Sequence, residues 1–483
     1  MTLRSGAEIA VGVFVILVLF LFLGGRGLNE PDEGRYAEVS REMLLDGNIL
    51  TPHLNGIAHF QKPPLIYWAA AASMALFGMN ERSARLPAAL AALGTTWLTF
   101  VLGRMYRGRL AGLIAACVLV STVGFFWMAR LLTPDMLLTF WITAAITCLA
   151  RFAAGEPRAW QWGFFGAMGL GFLTKGPMAL VVPISAALGW RAIAQRQGTS
   201  LPLSWARGLT CTGVIGLSWF VVMCVQNPTL LDYFVRYEFI ARITSHAHGR
   251  VQPWWFFVPV LAGGLLPWSL CFPAIAVALR RRLRARTPLA PLHGLLLGWT
   301  VPPFIILSLA GSKLATYVLP LFPACALVVS MWWIARCDQR RTGPFVLSAG
   351  TALLLLGSAV GAVRANDALG RQASLRALVQ VLTQRPDFDQ AQLFKCGVRA
   401  DGYEFYSGRL VTTTVGEADV VLPLDATQAG RLIASREDCE HTFHDQVPAY
   451  GLIRSKRFAK SFARFGWQIV AHAGDFLLIT NSR

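Results

Sequence analysis

Apolar stretches long enough to cross a lipid bilayer recur along most of this chain. A membrane-spanning helix needs about 20 predominantly apolar residues. The predicted spans are 9–25, 85–103, 110–128, 136–152, 160–173, 177–192, 208–225, 254–279, 291–310, 314–335 and 344–363. Only 14% of the 483 residues are charged, against about 25% in soluble domains. The sequence therefore predicts a polytopic α-helical membrane protein with about 11–13 transmembrane helices.

Arginine-rich loops set the predicted orientation. The densest cluster comprises Arg280, Arg281, Arg282, Arg284 and Arg286. Short cytoplasmic loops carry such an excess of Arg and Lys. The net charge of +18 is therefore explained by topology, and nucleic acid is not expected as a partner. With the arginine loops inside, residues 26–84, residues 226–253 and everything after 364 lie outside.

The segment Pro64–Met79 is apolar but shorter than a comfortable span. We interpret it as a helix lying at the outer membrane interface. The predicted domains are then a transmembrane catalytic domain, 1–364, with outer loops 26–84 and 226–253, and a periplasmic domain, 365–483.

Beyond Ala365 the composition becomes that of a small α/β domain. The predicted elements are strands Ala391–Phe394, Asp419–Pro423, Gln468–Ala471 and Phe476–Thr480, and helices Ala373–Thr383 and Arg454–Phe465. Cys396 and Cys439 are the cysteines in this segment, and an oxidising compartment favours disulfides. We expect them to pair; the alternative is two buried, unlinked thiols.

The first outer loop carries the run Glu30–Glu38, in which Asp32 and Arg35 are spaced i, i+3 and Tyr36 follows. A helix starting near Pro31 would place Asp32 and Arg35 on one face. The interpretation is a carboxylate that faces a cleft at the membrane surface; the alternative is a solvated juxtamembrane helix.

Further candidates are cations and acids near the predicted outer face. Lys62 precedes Pro63-Pro64, where a compact ammonium suits a phosphate, although a snorkelling lysine is the alternative. Asp135 begins an apolar helix, where an ionisable group suggests function but could also cap the helix. The other candidates are Lys175 and Lys313, each in a short outer loop, and Tyr317, one turn after Lys313 on the same face. Phosphate contact is one reason for two lysines on the outer side, and topological accident is the alternative.

The outer loop 226–253 contributes Glu238 and a stretch with His246, His248 and Arg250. Two histidines spaced i, i+2 are only weak candidates for a metal site, because a site needs further ligands. A guanidinium binds phosphate through two hydrogen bonds, so Arg250 is a candidate phosphate ligand. Carboxylates and cations on one face suit cleavage of a glycosyl phosphate. Composition alone does not separate such an enzyme from a transporter.

Several motifs together resemble a known family. They are Glu30–Tyr36, Gln61–Trp68, Phe77-Gly78, Arg85–Pro87, Thr133–Asp135, Thr174–Pro177 and Ser312–Pro320. In this order they resemble the lipid A aminoarabinose transferases and, more distantly, the protein O-mannosyltransferases. Both belong to the GT-C class of membrane glycosyltransferases. The similarity covers about residues 5–335.

The resemblance implies an enzyme of the bacterial inner membrane with its active site on the periplasmic face. It implies a polyprenyl-phosphate donor, such as undecaprenyl phosphate carrying 4-amino-4-deoxy-L-arabinose, and lipid A or another glycan or lipid as acceptor. Asp32 and Asp135 would be catalytic, while Lys62 and Arg250 would hold the donor phosphate. The remaining candidates, Arg35, Tyr36, Lys175, Glu238, Lys313 and Tyr317, would bind substrate.

The chain departs from this family at one position. The relatives carry Glu before the Lys-Pro-Pro motif, where this chain has Gln61. That Glu is associated with a divalent metal, which is the one cofactor that the resemblance suggests. Two other hypotheses stay open at this point: a transporter or flippase of a lipid-linked sugar, and an enzyme that glycosylates protein.

Overall fold

The computed structural model describes residues 2–199, 201–241, 251–337, 357, 361, 374–443, 448–459 and 461–482. The chain divides into two compact units. The helical unit comprises 1–21 and 88–362, and the mixed unit comprises 22–87 and 363–483. The first outer loop thus shares a unit with the C-terminal segment, whereas the sequence analysis grouped it with the transmembrane domain.

Long apolar helices dominate the helical unit. In the described part of the chain, those long and apolar enough to span a bilayer number six, or seven if one bent pair is counted as a span. The six are Glu81–Arg107, Pro134–Ala153, Met178–Gln197, Trp205–Gln226, Pro291–Leu309 and Ala315–Arg336. This confirms a polytopic helical membrane protein. Most of the predicted span 344–363 lies outside the described residues.

The described part of this unit also contains shorter helical segments. They are Thr2–Phe20, Arg109–Ser121, Val123–Met128, Ala159–Lys175, Thr229–Asp232 and the π-helix Tyr233–Ala241. The predicted span 254–279 corresponds to a pair of helices, Phe257–Gly264 and Trp268–Arg284, bent by 106°. Gly263-Gly264 and Pro267 lie at the break, where glycine has low helix propensity and proline lacks an N–H.

Glycines bring the helices Met178–Ala194 and Pro291–Leu309 together. A Cβ atom on Gly294 would clash with the carbonyl oxygen of Gly189, and one on Gly298 would clash with that of Ser185. Lipid tails are as apolar as helix side chains, so the hydrophobic effect does not drive membrane helices together. They associate instead through close packing, which small residues at facing positions permit. These positions therefore fix the packing of two candidate spans.

The mixed unit is built on a six-stranded sheet with the order β5-β4-β3-β6-β8-β7. The strands are β3 Gln392–Lys395, β4 Thr412–Thr414, β5 Leu432–Ile433, β6 Ala449–Arg454, β7 Gln468–Ala473 and β8 Phe476–Thr480. β3, β4, β5 and β6 pair in parallel, and β8 is antiparallel to both neighbours. Leu393 and Phe394 alternate along β3 and enter separate apolar cores, as the strand pleat requires.

Two predicted elements of this segment are wrong. Residues 419–423 form no strand, and the predicted helix 454–465 is divided into Ser455–Phe458 and a 3-10 turn, Phe462–Phe465. Pro423 cannot donate a ladder hydrogen bond, which disfavours a strand there. The remaining helices are Arg376–Thr383, Gly402–Ser407, Ala426–Ala429 and Asp438–Thr442.

Residues 22–87 contribute the helix Asp32–Asp46, the hairpin of β1 (His53–Leu54) and β2 (Ile57–Ala58), and the helix Leu65–Phe77. The last corresponds to the predicted interfacial helix. The helix Asp32–Asp46 packs against both Leu65–Phe77 and Gly402–Ser407. The C-terminal segment therefore supports the helix that carries Asp32.

Cys396 and Cys439 form a disulfide, with a Cα–Cα distance of 6.3 Å, which confirms the predicted pairing. Both residues are buried in the core that contains Phe394 and Trp467.

Removing this disulfide should destabilise the C-terminal segment. The bond links residues 43 apart, and closing a loop of that length stabilises by about 4 kcal/mol in the chain-entropy model. We expect Cys439→Ser to increase the rate of proteolysis of residues 374–482, while Cys224→Ala, at a free cysteine, leaves it unchanged. Alkylation of both Cys396 and Cys439 in unreduced wild-type protein would contradict the pairing.

Candidate active site

Asp32 opens the helix Asp32–Asp46 directly after Pro31. A carboxylate in the first turn is stabilised by the partial positive charge of the helix N-terminus. Its Oδ1 accepts a hydrogen bond of 2.6 Å from Arg35 Nη2, so the two side chains meet as their spacing predicts. The Asp32 side chain is 55% exposed and that of Arg35 only 13%. An accessible carboxylate is thus oriented by a largely buried arginine.

The next residue, Glu33, is held in a buried network. Arg85 donates from Nε to Glu33 Oε1 at 2.7 Å and from Nη2 to Oε2 at 3.0 Å, and Arg26 Nη1 lies 2.6 Å from Oε2. Arg85 also donates to the carbonyl oxygens of Leu23, Arg26 and Gly27. A buried ion pair is tolerated only when its polar atoms are satisfied in this way. The network fixes the start of the helix that carries Asp32.

The network gives the mixed unit an acid-sensitive contribution to stability. Burial alone would raise the pKa of Glu33, but the guanidinium groups of Arg85 and Arg26 lower it from 4.5 to about 2. A lowered carboxyl pKa stabilises the fold above the unfolded value of 4.5, and this stabilisation is lost as pH falls towards 2. Its full size is on the order of 3 kcal/mol.

Glu33→Gln should therefore lower the melting temperature of the protein at pH 6. The difference in melting temperature between variant and wild type should be smaller at pH 3.5. The measurement is thermal unfolding of both proteins in detergent at each pH. A difference between variant and wild type that stays constant over this range would contradict the assigned pKa.

The side chain of Tyr36 is buried against the ring of Tyr67. It is 4% exposed, its ring centroid lies 5.8 Å from that of Tyr67, and the Arg35 guanidinium lies 5.4 Å from its ring centre. A cation over an aromatic face is attracted by the ring quadrupole. Tyr36 therefore supports Arg35, and a contact with substrate stays a prediction.

Lys62 precedes Pro63-Pro64 and the helix Leu65–Phe77. Its Nζ donates to the carbonyl oxygen of Gln61 at 2.9 Å. The side chain of Gln61 in turn donates from Nε2 to Asp419 Oδ2 at 2.5 Å. The lysine is thereby linked to a residue of the C-terminal segment.

A second buried group of charges ties this loop to the sheet. Lys395 Nζ, at the end of β3, lies 2.6 Å from Asp401 Oδ1 and 2.5 Å from Glu404 Oε1. Burial raises the pKa of Glu404 to about 7, although Lys395 opposes the shift. Glu30 Oε1 accepts a hydrogen bond of 2.9 Å from the backbone N–H of Gly402. Glu30, two residues before Asp32, is thus anchored in the C-terminal segment.

In the helical unit the structure brings together Asp135, Lys175 and Tyr317. Asp135 lies in the first turn of the helix Pro134–Ala153, and its Oδ1 accepts from Nζ of Lys175, the last residue of Ala159–Lys175. The Lys175 ammonium lies 4.8 Å from the Tyr317 ring centre. Asp135 is 7% exposed and Lys175 15% at the side chain. The pair is compact and largely withdrawn from solvent.

Lys313 and Glu238 make other contacts. Lys313 is 6% exposed and its Nζ donates to the carbonyl oxygens of Ala310 at 2.6 Å and Gln252 at 3.0 Å. These bonds give it a structural role, and phosphate binding by Lys313 stays a prediction. Glu238, in the π-helix Tyr233–Ala241, accepts from Tyr233 Oη at 3.4 Å.

The candidates Arg250, His246 and His248 lie outside the described residues. Within those residues, no group of three or more His, Cys, Asp or Glu side chains could hold a metal ion. Gln61 supplies an amide where the resemblance expects a carboxylate ligand, and this amide is bonded to Asp419. The residues described around Gln61 therefore do not fit a metal ion.

Sequence reasoning missed Glu33, Arg85, Asp419 and His59. Arg85 could have been noticed, because an arginine at the start of an apolar helix needs buried partners. Glu33 could have been found as its opposite charge nearby. Asp419 and His59, whose ring Nδ1 lies 3.8 Å from Asp419 Oδ2, give no local signal, since their partners come from distant parts of the chain.

Comparison with known proteins agrees with the motif resemblance. Residues 61–224 match the family model described as dolichyl-phosphate-mannose-protein mannosyltransferase. The chain is 34% identical over 345 residues to an undecaprenyl phosphate-α-4-amino-4-deoxy-L-arabinose arabinosyl transferase of Edwardsiella ictaluri. This alignment covers 69% of this chain and 60% of the relative. A transferase of the same name from Sodalis glossinidius is 33% identical over 74% of this chain and 66% of its own length. The chain spans about six tenths of the length of the relatives that it matches.

Solved structures share the fold. ArnT from Cupriavidus metallidurans bound to undecaprenyl phosphate aligns with a TM-score of 0.83 at 22% identity, covering 99% of this chain and 98% of that one. The archaeal oligosaccharyltransferase AglB from Archaeoglobus fulgidus aligns with a TM-score of 0.57 at 12% identity, covering 99% and 75%. The chain is therefore a multi-span membrane protein with the GT-C fold that resembles the aminoarabinose transferases in sequence and in structure.

Proposed function

We propose that this chain transfers a sugar from a polyprenyl-phosphate carrier to an acceptor at the periplasmic face of a bacterial inner membrane. The observation that carries the proposal is the 34% identity over 345 residues to an undecaprenyl phosphate-aminoarabinose transferase. By that similarity the donor is undecaprenyl phosphate carrying 4-amino-4-deoxy-L-arabinose. Lipid A is the proposed acceptor.

The reaction exchanges one C–O bond of the sugar for another. The acceptor oxygen attacks the anomeric carbon while the bond from that carbon to the donor phosphate oxygen breaks, which releases undecaprenyl phosphate. Negative charge grows on the leaving phosphate, so fixed cations lower the barrier. Lys62 is the proposed ligand of this phosphate, because its ammonium is a compact charge held by the Gln61 carbonyl.

The two acids take different roles. Asp32 is exposed and can accept a proton, so it is the general base if the acceptor is a hydroxyl. A phosphate monoester acceptor is already largely ionised near pH 7, since its second pKa is about 6. In that case Asp32 orients the sugar or the acceptor. Asp135 is paired with Lys175 and therefore keeps that lysine in place.

Removing the Lys62 ammonium should weaken use of the donor. A hydrogen bond to a charged group contributes about 1.5–3 kcal/mol, so Lys62→Ala should raise the KM for donor by about 10- to 100-fold. Lys456→Ala, at an exposed lysine of the helix Ser455–Phe458, is the matched control and should behave as wild type. An unchanged donor KM in Lys62→Ala would move the phosphate site elsewhere.

Mass spectrometry of lipid A from cells with and without the gene tests the function. We expect one aminoarabinose substituent that depends on the gene and disappears with Asp32→Asn. Identical lipid A in both strains would contradict lipid A as the acceptor.

A protein acceptor is the second candidate, favoured by the match of residues 61–224 to the protein mannosyltransferase model. It predicts loss of sugar from periplasmic proteins, rather than from lipid A, when the gene is deleted. The acceptor would then be a serine or threonine hydroxyl, and Asp32 would be required as a base.

A further inference from the structure

We propose that Asp419, in the C-terminal segment, is a positioning residue for Lys62 and acts on it through Gln61. The inference deepens the proposed function and rests on it, because it takes Lys62 to be the ligand of the donor phosphate. All three residues belong to the mixed unit.

The contacts form a continuous chain. Asp419 Oδ2 accepts from Gln61 Nε2 at 2.5 Å, and the carbonyl oxygen of Gln61 accepts from Lys62 Nζ at 2.9 Å. Pro63 follows, and its ring restricts the backbone at that position. A lysine side chain has four flexible carbons, so its ammonium is placed only where its partners are fixed. One partner of the Lys62 ammonium is the carbonyl of Gln61, and the side chain of Gln61 is held by Asp419.

Two other groups lie near the Asp419 carboxylate, at longer distances than Gln61. His59 Nδ1 lies 3.8 Å from Oδ2, and Arg399 Nη2 lies 3.8 Å from Oδ1. Burial, together with the charge of Arg35, lowers the pKa of His59 to about 3, so the imidazole is neutral at physiological pH. The carboxylate is 24% exposed at its side chain. A hydrogen bond to a partly buried carboxylate is stronger than one between neutral groups.

Asp419 directs its side chain to a residue 358 positions earlier in the chain. The C-terminal segment, which carries no catalytic motif, thereby acquires a role in donor binding.

The test measures donor KM and kcat for Asp419→Ala, Gln61→Ala and the double variant in the full-length protein. We expect each single change to raise the KM about 5- to 10-fold, with kcat within about twofold of wild type. Residues that act through one contact are not additive, so the double variant should match the more affected single variant. Asp419→Asn keeps an oxygen acceptor and should recover most of the donor affinity.

Asp475→Asn is the matched control, because Asp475 is an exposed carboxylate of the same segment that pairs with Arg454. Unchanged KM in Asp419→Ala, or additive effects in the double variant, would overturn the inference while wild-type transfer upholds the proposed function. If Asp419→Ala does not fold, Gln61→Ala decides: a donor KM raised about 5- to 10-fold supports the inference, and an unchanged KM overturns it.

Thermal stabilisation by undecaprenyl phosphate separates the two proposals when no transfer is seen. Stabilisation of the wild type that weakens in Asp419→Ala and Gln61→Ala would support the inference alone. Absence of stabilisation in the wild type would contradict both.

Discussion

Asp32→Asn should reduce sugar transfer by about 100-fold or more while the protein still folds. General-base catalysis contributes about 10²- to 10⁴-fold, and the amide cannot accept the proton. Asp32 is 55% exposed at its side chain and pairs with Arg35 of its own helix, so the fold depends little on its charge. The measurement is the initial rate of transfer at saturating donor, normalised to folded protein.

Asp46→Asn is the matched control, since Asp46 is an exposed carboxylate at the other end of the same helix. We expect it to transfer sugar at the wild-type rate. Near-wild-type transfer by a well-folded Asp32→Asn protein would remove Asp32 from the catalytic site.

Arg85→Ala should destabilise the protein by about 3–5 kcal/mol, because it leaves Glu33 as a buried charge without one of its two arginines. It also removes the donors to three backbone carbonyls. Arg85→Lys should recover only part of this stability, since an ammonium cannot reproduce the guanidinium fork.

Thermal unfolding and yield of folded protein measure this effect. Arg82→Ala is the control, at an exposed arginine one turn earlier in the same helix, and should unfold as wild type does. Equal stability of Arg82→Ala and Arg85→Ala would show that the network does not hold the loop.

The predictable part of the fold follows from short-range rules. The predicted span 136–152 lies within the helix Pro134–Ala153, because a bilayer requires long apolar helices whatever their neighbours are. The predicted strands 468–471 and 476–480 correspond to β7 and β8. The cysteine pair was predictable because Cys396 and Cys439 are the two cysteines of the segment that the sequence places outside the membrane.

The missed parts depend on long-range contacts. β4 and β5 are three and two residues long and gain their pairing from distant parallel neighbours, which a local pattern does not contain. The link from Gln61 to Asp419 joins residues 358 apart. Neither partner carries a periodic or compositional signal of the other.

The candidate site was predictable to a similar extent. The i, i+3 spacing predicted the contact of Asp32 with Arg35, because side chains three residues apart share a helix face. It did not predict the contact of Lys175 with Asp135 and Tyr317, which comes from the packing of separate helices. Nor did it predict that the Lys313 ammonium donates to the backbone carbonyls of Ala310 and Gln252, one of which lies in a distant loop.

The most direct test of the central claim is transfer by the purified full-length protein in liposomes that contain lipid A and undecaprenyl phosphate-linked aminoarabinose. Mass spectrometry follows both lipids over time. The proposed function predicts lipid A with an added aminoarabinose and an equal amount of released undecaprenyl phosphate, both absent with Asp32→Asn. Donor and lipid A that both stay unchanged, with neither product formed, would contradict it.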